Sequence, residues 1–169
     1  MKHYKINRTV HRWVGIIFAI ALLNFSITGL LLLEKKNFSW IQPKTQTGSQ
    51  GTVDQFITNQ QLFKTVFTEK HPDFKNIDDI DRVDFRPGKR IFKVRSKNNY
   101  SEIQVDAISG KILSIAKRNS DKIEAWHDGS MFGEFVHQYL MPAVAAVVIT
   151  LTITGLYLWL ASAIKRRAK

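Results

Sequence analysis

Two long uncharged segments, one near each end of the chain, limit what this sequence can fold into. Trp13 to Leu33 and Tyr139 to Ser162 contain no Asp, Glu, Lys or Arg. Runs of that length match the hydrocarbon core of a bilayer, given the rise of about 1.5 Å per helical residue. The polar residues inside them (Asn24, Ser26 and Thr28; Thr150, Thr152 and Thr154) are types a helix can satisfy through its own carbonyls or a neighbouring helix. A buried core helix of a soluble protein is the competing reading, and two such runs in one chain of 169 residues weigh against it. The segments also share a pattern. His11 to Leu33 reads HRWVGIIFAIALLNFSITGLLLL and His137 to Trp159 reads HQYLMPAVAAVVITLTITGLYLW, each closing on Ile-Thr-Gly-Leu-x-Leu. Gly29 follows His11 by 18 residues, and Gly155 follows His137 by the same 18. That is about five helical turns, or about 27 Å, which puts each His and Gly on one face at opposite ends. In antiparallel helices the equivalent motifs then lie at opposite membrane faces, as in inverted-topology repeats.

Charge placement gives an orientation. The ends of the chain carry Lys2, Lys5, Arg8 and Arg12, then Lys165, Arg166, Arg167 and Lys169, with no acidic residue among them. All 14 acidic residues lie between Glu34 and Glu134. By the positive-inside rule both termini are cytoplasmic, in a cell (inner) membrane, and the long central loop is extracytoplasmic, or periplasmic. The net charge of +11 is mostly this topology signal, so no nucleic-acid function is expected. The first segment reads as an uncleaved anchor. Its apolar run is too long for a signal peptide, and Glu34-Lys35-Lys36 follows it where small residues would mark cleavage. The chain has no cysteine, which removes disulfides, cysteine-ligated clusters and thiol catalysis.

Between the segments the period changes. Residues 34–51 are polar and read as a connector, with Trp40 as an interfacial anchor. Thr52, with Gln55 three residues on, marks a helix start, and Phe56, Leu62, Phe63, Val66 and Phe67 supply its apolar stripe, which ends before His71-Pro72. Strand-like stretches then follow at Ile80–Phe85, Ile91–Arg95, Tyr100–Val105 and Lys111–Ile115, with turns at Arg86-Pro87-Gly88 and Ser109-Gly110. One helix and three to four antiparallel strands make a small α+β domain. The expected architecture is therefore membrane α+β. It comprises a basic N-terminus (1–12), a first spanning helix (13–33), the connector (34–51), the domain (52–118), an interfacial segment (119–136), a second spanning helix (137–162) and a basic tail (163–169).

Several of these residues resemble a known family. Val105-Asp106-Ala107-Ile108-Ser109-Gly110-Lys111-Ile112-Leu113 is similar to the closing strand–turn–strand of a PepSY domain. Arg8-x-x-His11-Arg12-Trp13-x-Gly15 resembles the opening of PepSY-associated transmembrane proteins. Trp126-His127-Asp128-Gly129 and Thr154-Gly155-Leu156-Tyr157-Leu158-Trp159 resemble their closing part. The resemblance covers nearly the whole chain and implies a small, two-helix member. Larger relatives bind haem between helices through histidines and carry electrons across the membrane to ferric-siderophore or related iron substrates. Carried over by position, it implies haem b with His11, His127 and His137 as iron ligands, and an iron-uptake partner.

The residues themselves leave two readings open for those histidines: haem ligands, or amphipathic anchors at the membrane interface. His11 and His137 belong to opposite ends of the bilayer, on the order of 25 Å apart, so they cannot share one iron. Two copies of the chain, as a homodimer or within a larger membrane complex, would pair like histidines in a four-helix bundle. Gly15, Ala19, Thr28, Gly29, Thr154 and Gly155 read as close helix contacts. No catalytic residue set is recognisable, and without a nicotinamide or flavin motif the chain is not a complete enzyme by itself. At most it is an oxidoreductase subunit drawing electrons from a quinone or a partner. A cofactor-free reading stands beside this one, in which the external domain binds a partner protein.

Overall fold

The computed structural model describes residues 2–167, so Met1, Ala168 and Lys169 at the two basic ends lie outside the described residues. The chain divides into two compact units, Met1–Leu32 with Ile123–Lys169, and Leu33–Lys122.

The first unit holds α1 (Lys2–Leu33) and α4 (Met141–Arg167). Residues Tyr4–Leu33 and Val136–Ile164 are long and apolar enough to cross a membrane. Only 6% of the most apolar stretch of the first is buried and none of the second. A core helix of a soluble protein would bury its apolar run; these helices present theirs outward, as a bilayer requires. Between the units' shared boundary and α4, the first unit also takes in the end of α3 (Asn119–His127) and a 3-10 turn, Ser130–Phe132. A π-helical turn, Val136–Leu140, leads into α4. Its cause is local. Pro142 has no N–H to give and its ring crowds the carbonyl four residues back, so the ladder opens and Met141 N–H reaches back to the Val136 carbonyl instead.

The second unit is an antiparallel meander in the order β1-β2-β3-β4, formed by Ile80–Arg86, Ile91–Ser96, Ser101–Asp106 and Ile112–Lys117. Phe92, Val94, Ile103 and Val105 alternate onto one face, where they bury against Leu62 and Val66 of α2 (Asn59–Thr68), with Phe74 and Ala107. The cap of α2 lies later than the sequence suggests. Thr52 N–H does bond Gln55 Oε1 at 3.0 Å, but it caps only the short turn Val53–Gln55. Ile57 N–H is held by the Ala107 carbonyl at 2.8 Å, keeping the chain extended there. Thr58 and Gln61 then form the capping box of the true helix, with bonds of 2.8 and 3.3 Å.

The opposite face of the sheet carries a buried charge network. Glu102, 1% exposed, accepts from Arg118 Nη1 at 2.9 Å and lies 3.5 Å from Lys93 Nζ, itself 3% exposed. Arg95 bridges Asp84 at 2.9 Å, and Arg118 pairs with Asp121 at 3.0 Å. Burial lowers the pKa of the Lys93 ammonium despite Glu102. Burial pulls the Arg118 guanidinium the same way, but its bond and charge pairing with Asp121 outweigh that and raise it. The connector covers this face. Gln104 Oε1 accepts from Gln46 N–H and its Nε2 donates to the Lys44 carbonyl, while Lys93 Nζ bonds Thr45 Oγ1. Asp106 Oδ2 accepts from Ser49 N–H and hydroxyl at 2.9 and 2.5 Å, and its Oδ1 takes the Ile108 N–H at 2.8 Å. The residues that read as a connector are therefore a strap bonded to the sheet.

Candidate functional site

Each Ile-Thr-Gly-Leu motif receives a histidine. On α4, Thr154 Oγ1 lies 2.8 Å from His11 Nδ1, and a methyl group on Gly155 would sit 3.2 Å from His11 Cε1. On α1, Thr28 Oγ1 lies 2.6 Å from His127 Nδ1, and a methyl on Gly29 would sit 3.9 Å from His127 Cε1. Glycine next to threonine leaves room for an imidazole edge to approach the helix backbone, and the hydroxyl meets its nitrogen. Thr28 is the one buried residue of α1 among those described.

The two sites differ in how the histidine is supplied. His11 comes directly from the first half of α1. His127 is the last residue of α3, and its ring packs edge-on to Phe25 with centroids 5.5 Å apart. Its neighbour Trp126 donates from Nε1 to Asn24 Oδ1 at 2.7 Å. Asn24 and Thr28 are four apart on one helical face, so two consecutive residues of α3 dock on two consecutive turns of α1. The sequence offered a signal for this docking: Asn24 is the one amide side chain in the uncharged run of α1.

His137 stands apart from both pairs. Its Nδ1 bonds the Asp128 carbonyl at 2.9 Å and lies 3.7 Å from the Asp128 carboxylate. Burial pushes the Asp128 carboxyl up, but its bonds from Ser130, the backbone N–H first, and the nearby His137 and His127 outweigh that and lower its pKa. The chain reverses at Gly129, whose φ of +78° suits glycine and whose missing side chain makes room for Met141 and Val136. Here the pattern differs from the repeat read in the sequence. Equal His-to-Gly spacing matched His11 to His137, whereas by contact the counterpart of His11 is His127.

Two grooves flank His11, of about 390 and about 260 Å³. The larger runs past Gly15, Phe18, Ala19 and Gly155, and the smaller past Val10, Val14, Val147 and Thr154. A methyl on Gly15 would meet nothing within 4 Å, so Gly15 and Ala19 form an open wall where a tight helix crossing was expected. None of the three histidines uses Nε2 in a hydrogen bond among the described residues. No group of three or more His, Cys, Asp or Glu side chains that could hold a bare metal ion occurs among the described residues either. The sites thus offer single imidazole nitrogens, each with its other nitrogen anchored. His71 plays a local part, its Nδ1 accepting from Asp73 N–H at 3.2 Å.

Comparison with curated proteins gave no match. The model of the PepSY-associated TM region family matches residues 8–169, taking in both spanning helices, the sheet and all three histidines, and the chain belongs to that family.

Proposed function

We propose that this membrane protein is a subunit or accessory of a haem-dependent transmembrane electron-transfer system serving siderophore iron uptake. The observation that supports this best is that His11, His127 and His137 each anchor Nδ1 and, among the described residues, leave Nε2 unbonded. Haem-ligating histidines need that division, with one nitrogen for iron and the other held by an acceptor that fixes the ring. His11 and His127 would each hold one b-type haem, near opposite ends of the spanning pair, and His137 is the third donor. Thr28, which holds His127, is 17 residues beyond His11 on the same helix, about 26 Å along its axis. One iron cannot bridge that distance, so the reading needs two separate sites. Haem supplies a one-electron carrier when bound. The chain's own residues orient the imidazoles, exclude water with apolar helix faces, and place one donor toward each membrane face. Each iron's opposite ligand would come from another copy or a partner subunit, and the electrons from a quinone or a partner. Both termini are cytoplasmic and the strapped sheet is periplasmic in this reading, following the charge asymmetry.

A second reading has the chain as a membrane-anchored PepSY module that binds a partner protein without a cofactor. What favours it is that β1 and β4 end the sheet with partly exposed strands, the surface that strand addition uses. One experiment separates the two. The detergent-purified protein, supplied with haem during expression, is scanned in the visible range before and after dithionite. A Soret band with split α and β bands on reduction, diminished singly by H11A and by H127A, supports the electron-transfer reading. A colourless protein sinks it and leaves the interaction module.

A further inference from the structure

We infer that Thr28 and Thr154 are positioning residues whose hydroxyl oxygens fix His127 and His11 as the Nδ1-protonated tautomer, leaving Nε2 as a lone-pair donor. Their role toward iron rests on the haem reading above; the tautomer assignment does not. The destination of each hydroxyl proton decides the tautomer. Thr154 Oγ1 lies 2.9 Å from the Thr150 carbonyl and 3.1 Å from that of Leu151. Thr28 Oγ1 lies 2.5 Å from the Asn24 carbonyl. A carbonyl oxygen can only accept, so at those distances each hydroxyl spends its single proton on the helix backbone. What remains at Oγ1 is lone pairs. The histidine nitrogen 2.8 or 2.6 Å away must then donate, which puts the proton on Nδ1. Were Nδ1 the acceptor, Thr28 Oγ1 would press lone pair against lone pair on the Asn24 carbonyl at 2.5 Å, with no proton between them.

The consequence is specific. An unrestrained neutral imidazole favours the proton on Nε2, the tautomer that cannot ligate through that atom. Each threonine reverses the preference. The helix backbone thereby acts through one hydroxyl to set the ring's chemistry, an arrangement parallel to the carbonyl–histidine pairs behind metal ligands. The repeated Ile-Thr-Gly-Leu motif supplies the hydroxyl that fixes the tautomer at both sites, and at Gly155 it also supplies the glycine that admits the ring.

The test uses the full chain in detergent, without haem, with ¹⁵N-labelled histidine at a pH about two units above the usual imidazole pKa of about 6.5. Nitrogen–proton correlation spectra, assigned with H11Q and H127Q, report which ring nitrogen carries the proton. The expected result is Nδ1–H at both histidines. T154V moves His11 to Nε2–H and leaves His127 unchanged, T28V does the converse, and T154S and T28S restore the native pattern. An Nε2–H signal at His11 or His127 in the unaltered chain overturns the inference, as does a valine variant that keeps Nδ1–H. The same proteins are then titrated with haemin. The valine variants are expected to lose roughly 10- to 100-fold in haem retention at one site each, and the serine variants little. If the tautomers behave as expected but the unaltered chain takes up no haemin, the assignment stands and the electron-transfer reading falls.

Discussion

A methyl group added at Gly155 and one added at Gly29 should have opposite consequences, although both glycines occupy the same place in the same motif. At Gly155 the new carbon would lie 3.2 Å from His11 Cε1 and 3.5 Å from Nε2. The optimum for such contacts is about 3.5–4.0 Å, so the imidazole has to retreat by a few tenths of an ångström. It cannot do so freely, because Thr154 on the preceding residue holds Nδ1 at 2.8 Å. Weakening that bond forfeits part of about 1 kcal/mol, and overpacking adds about 1 kcal/mol or more. Replacing a helical glycine by alanine returns up to about 1 kcal/mol. The net for G155A is a loss of about 1 kcal/mol. At Gly29 the new carbon sits 3.9 Å from His127 Cε1, an ordinary contact. Only the helix gain remains, so G29A should be neutral or stabilising by up to about 1 kcal/mol. The absence of native cysteine allows a dye pair on K5C and I164C to report separation of α1 from α4 as SDS is titrated into mixed micelles. G155A is expected to move the midpoint to lower SDS and G29A to leave it unchanged or raise it. Equal losses, or a larger loss at Gly29, would refute the reasoning from the His11 contact.

Two further predictions concern the strapped domain. Glu102 is the shared anion for Lys93, Arg95 and Arg118, so E102A leaves buried cations without it, at a cost of about 3–5 kcal/mol. Amide exchange over Ile91–Asp106 in the full chain should accelerate by about 100-fold or more; an unchanged rate would mean that water already reaches the network. Burial pushes the Asp106 carboxyl up, but the Ser49 hydroxyl and the Ile108, Ser49 and Ser109 bonds outweigh that and hold its pKa well below the usual carboxylate range. A folded pKa below the unfolded one means the stabilisation is complete above about pH 4 and is lost as the pH falls through the folded value. Protection of the Ser49 and Ile108 amides, taken relative to the intrinsic exchange rate at each pH, should therefore fall on acidification below about pH 4 in the unaltered chain. D106N should show faster exchange at neutral pH and a smaller acid response. An identical acid response in D106N would assign the pH dependence to other carboxylates.

What the sequence disclosed and what it hid divide along a physical line. Period and charge exclusion located both spanning helices and all four strands, because those signals depend only on which side of an element meets water or lipid. The second sheet face stayed hidden. Lys93, Arg95, Glu102 and Gln104 alternate like a solvated face, and nothing local says that residues 40–49 fold over them. The cap at Thr58 lost to the one at Thr52 because both present the same Thr-x-x-Gln spacing. The bond from Ile57 to Ala107 that separates the two is a long-range one. Thr28, Gly29, Thr154 and Gly155 were legible as contact points on a helix surface. That each contact is an imidazole from elsewhere in the chain was not, since a motif records what it can admit and leaves the guest unnamed.

The mismatch between the sequence repeat and the contact repeat follows from direction. Each Thr-Gly pair lies in the later half of its spanning segment. In an antiparallel pair that half faces the first half of the other helix, so the motif on α4 meets the first half of α1, where His11 is already part of the helix. The motif on α1 faces the approach to α4, and there the chain is not yet regular. The Gly129 reversal returns α3 toward α1, so the residue that arrives at Thr28 is His127, ten positions before the histidine that spacing selects. His137 is displaced into the π-helical turn that Pro142 forces, and it bonds the carbonyl of Asp128, the residue after His127. Among the described side chains, the second site therefore holds two neighbouring histidines on either side of one aspartate, and the first holds one. If haem occupies both ends, ligand loss should be asymmetric: H11A removes the sole described donor at its end, whereas H127A leaves His137 nearby. Reduced spectra of the two variants compared with H137A would show it, and equal, complete loss of one site in H11A and in H127A, with H137A unchanged, would assign His137 a structural role alone.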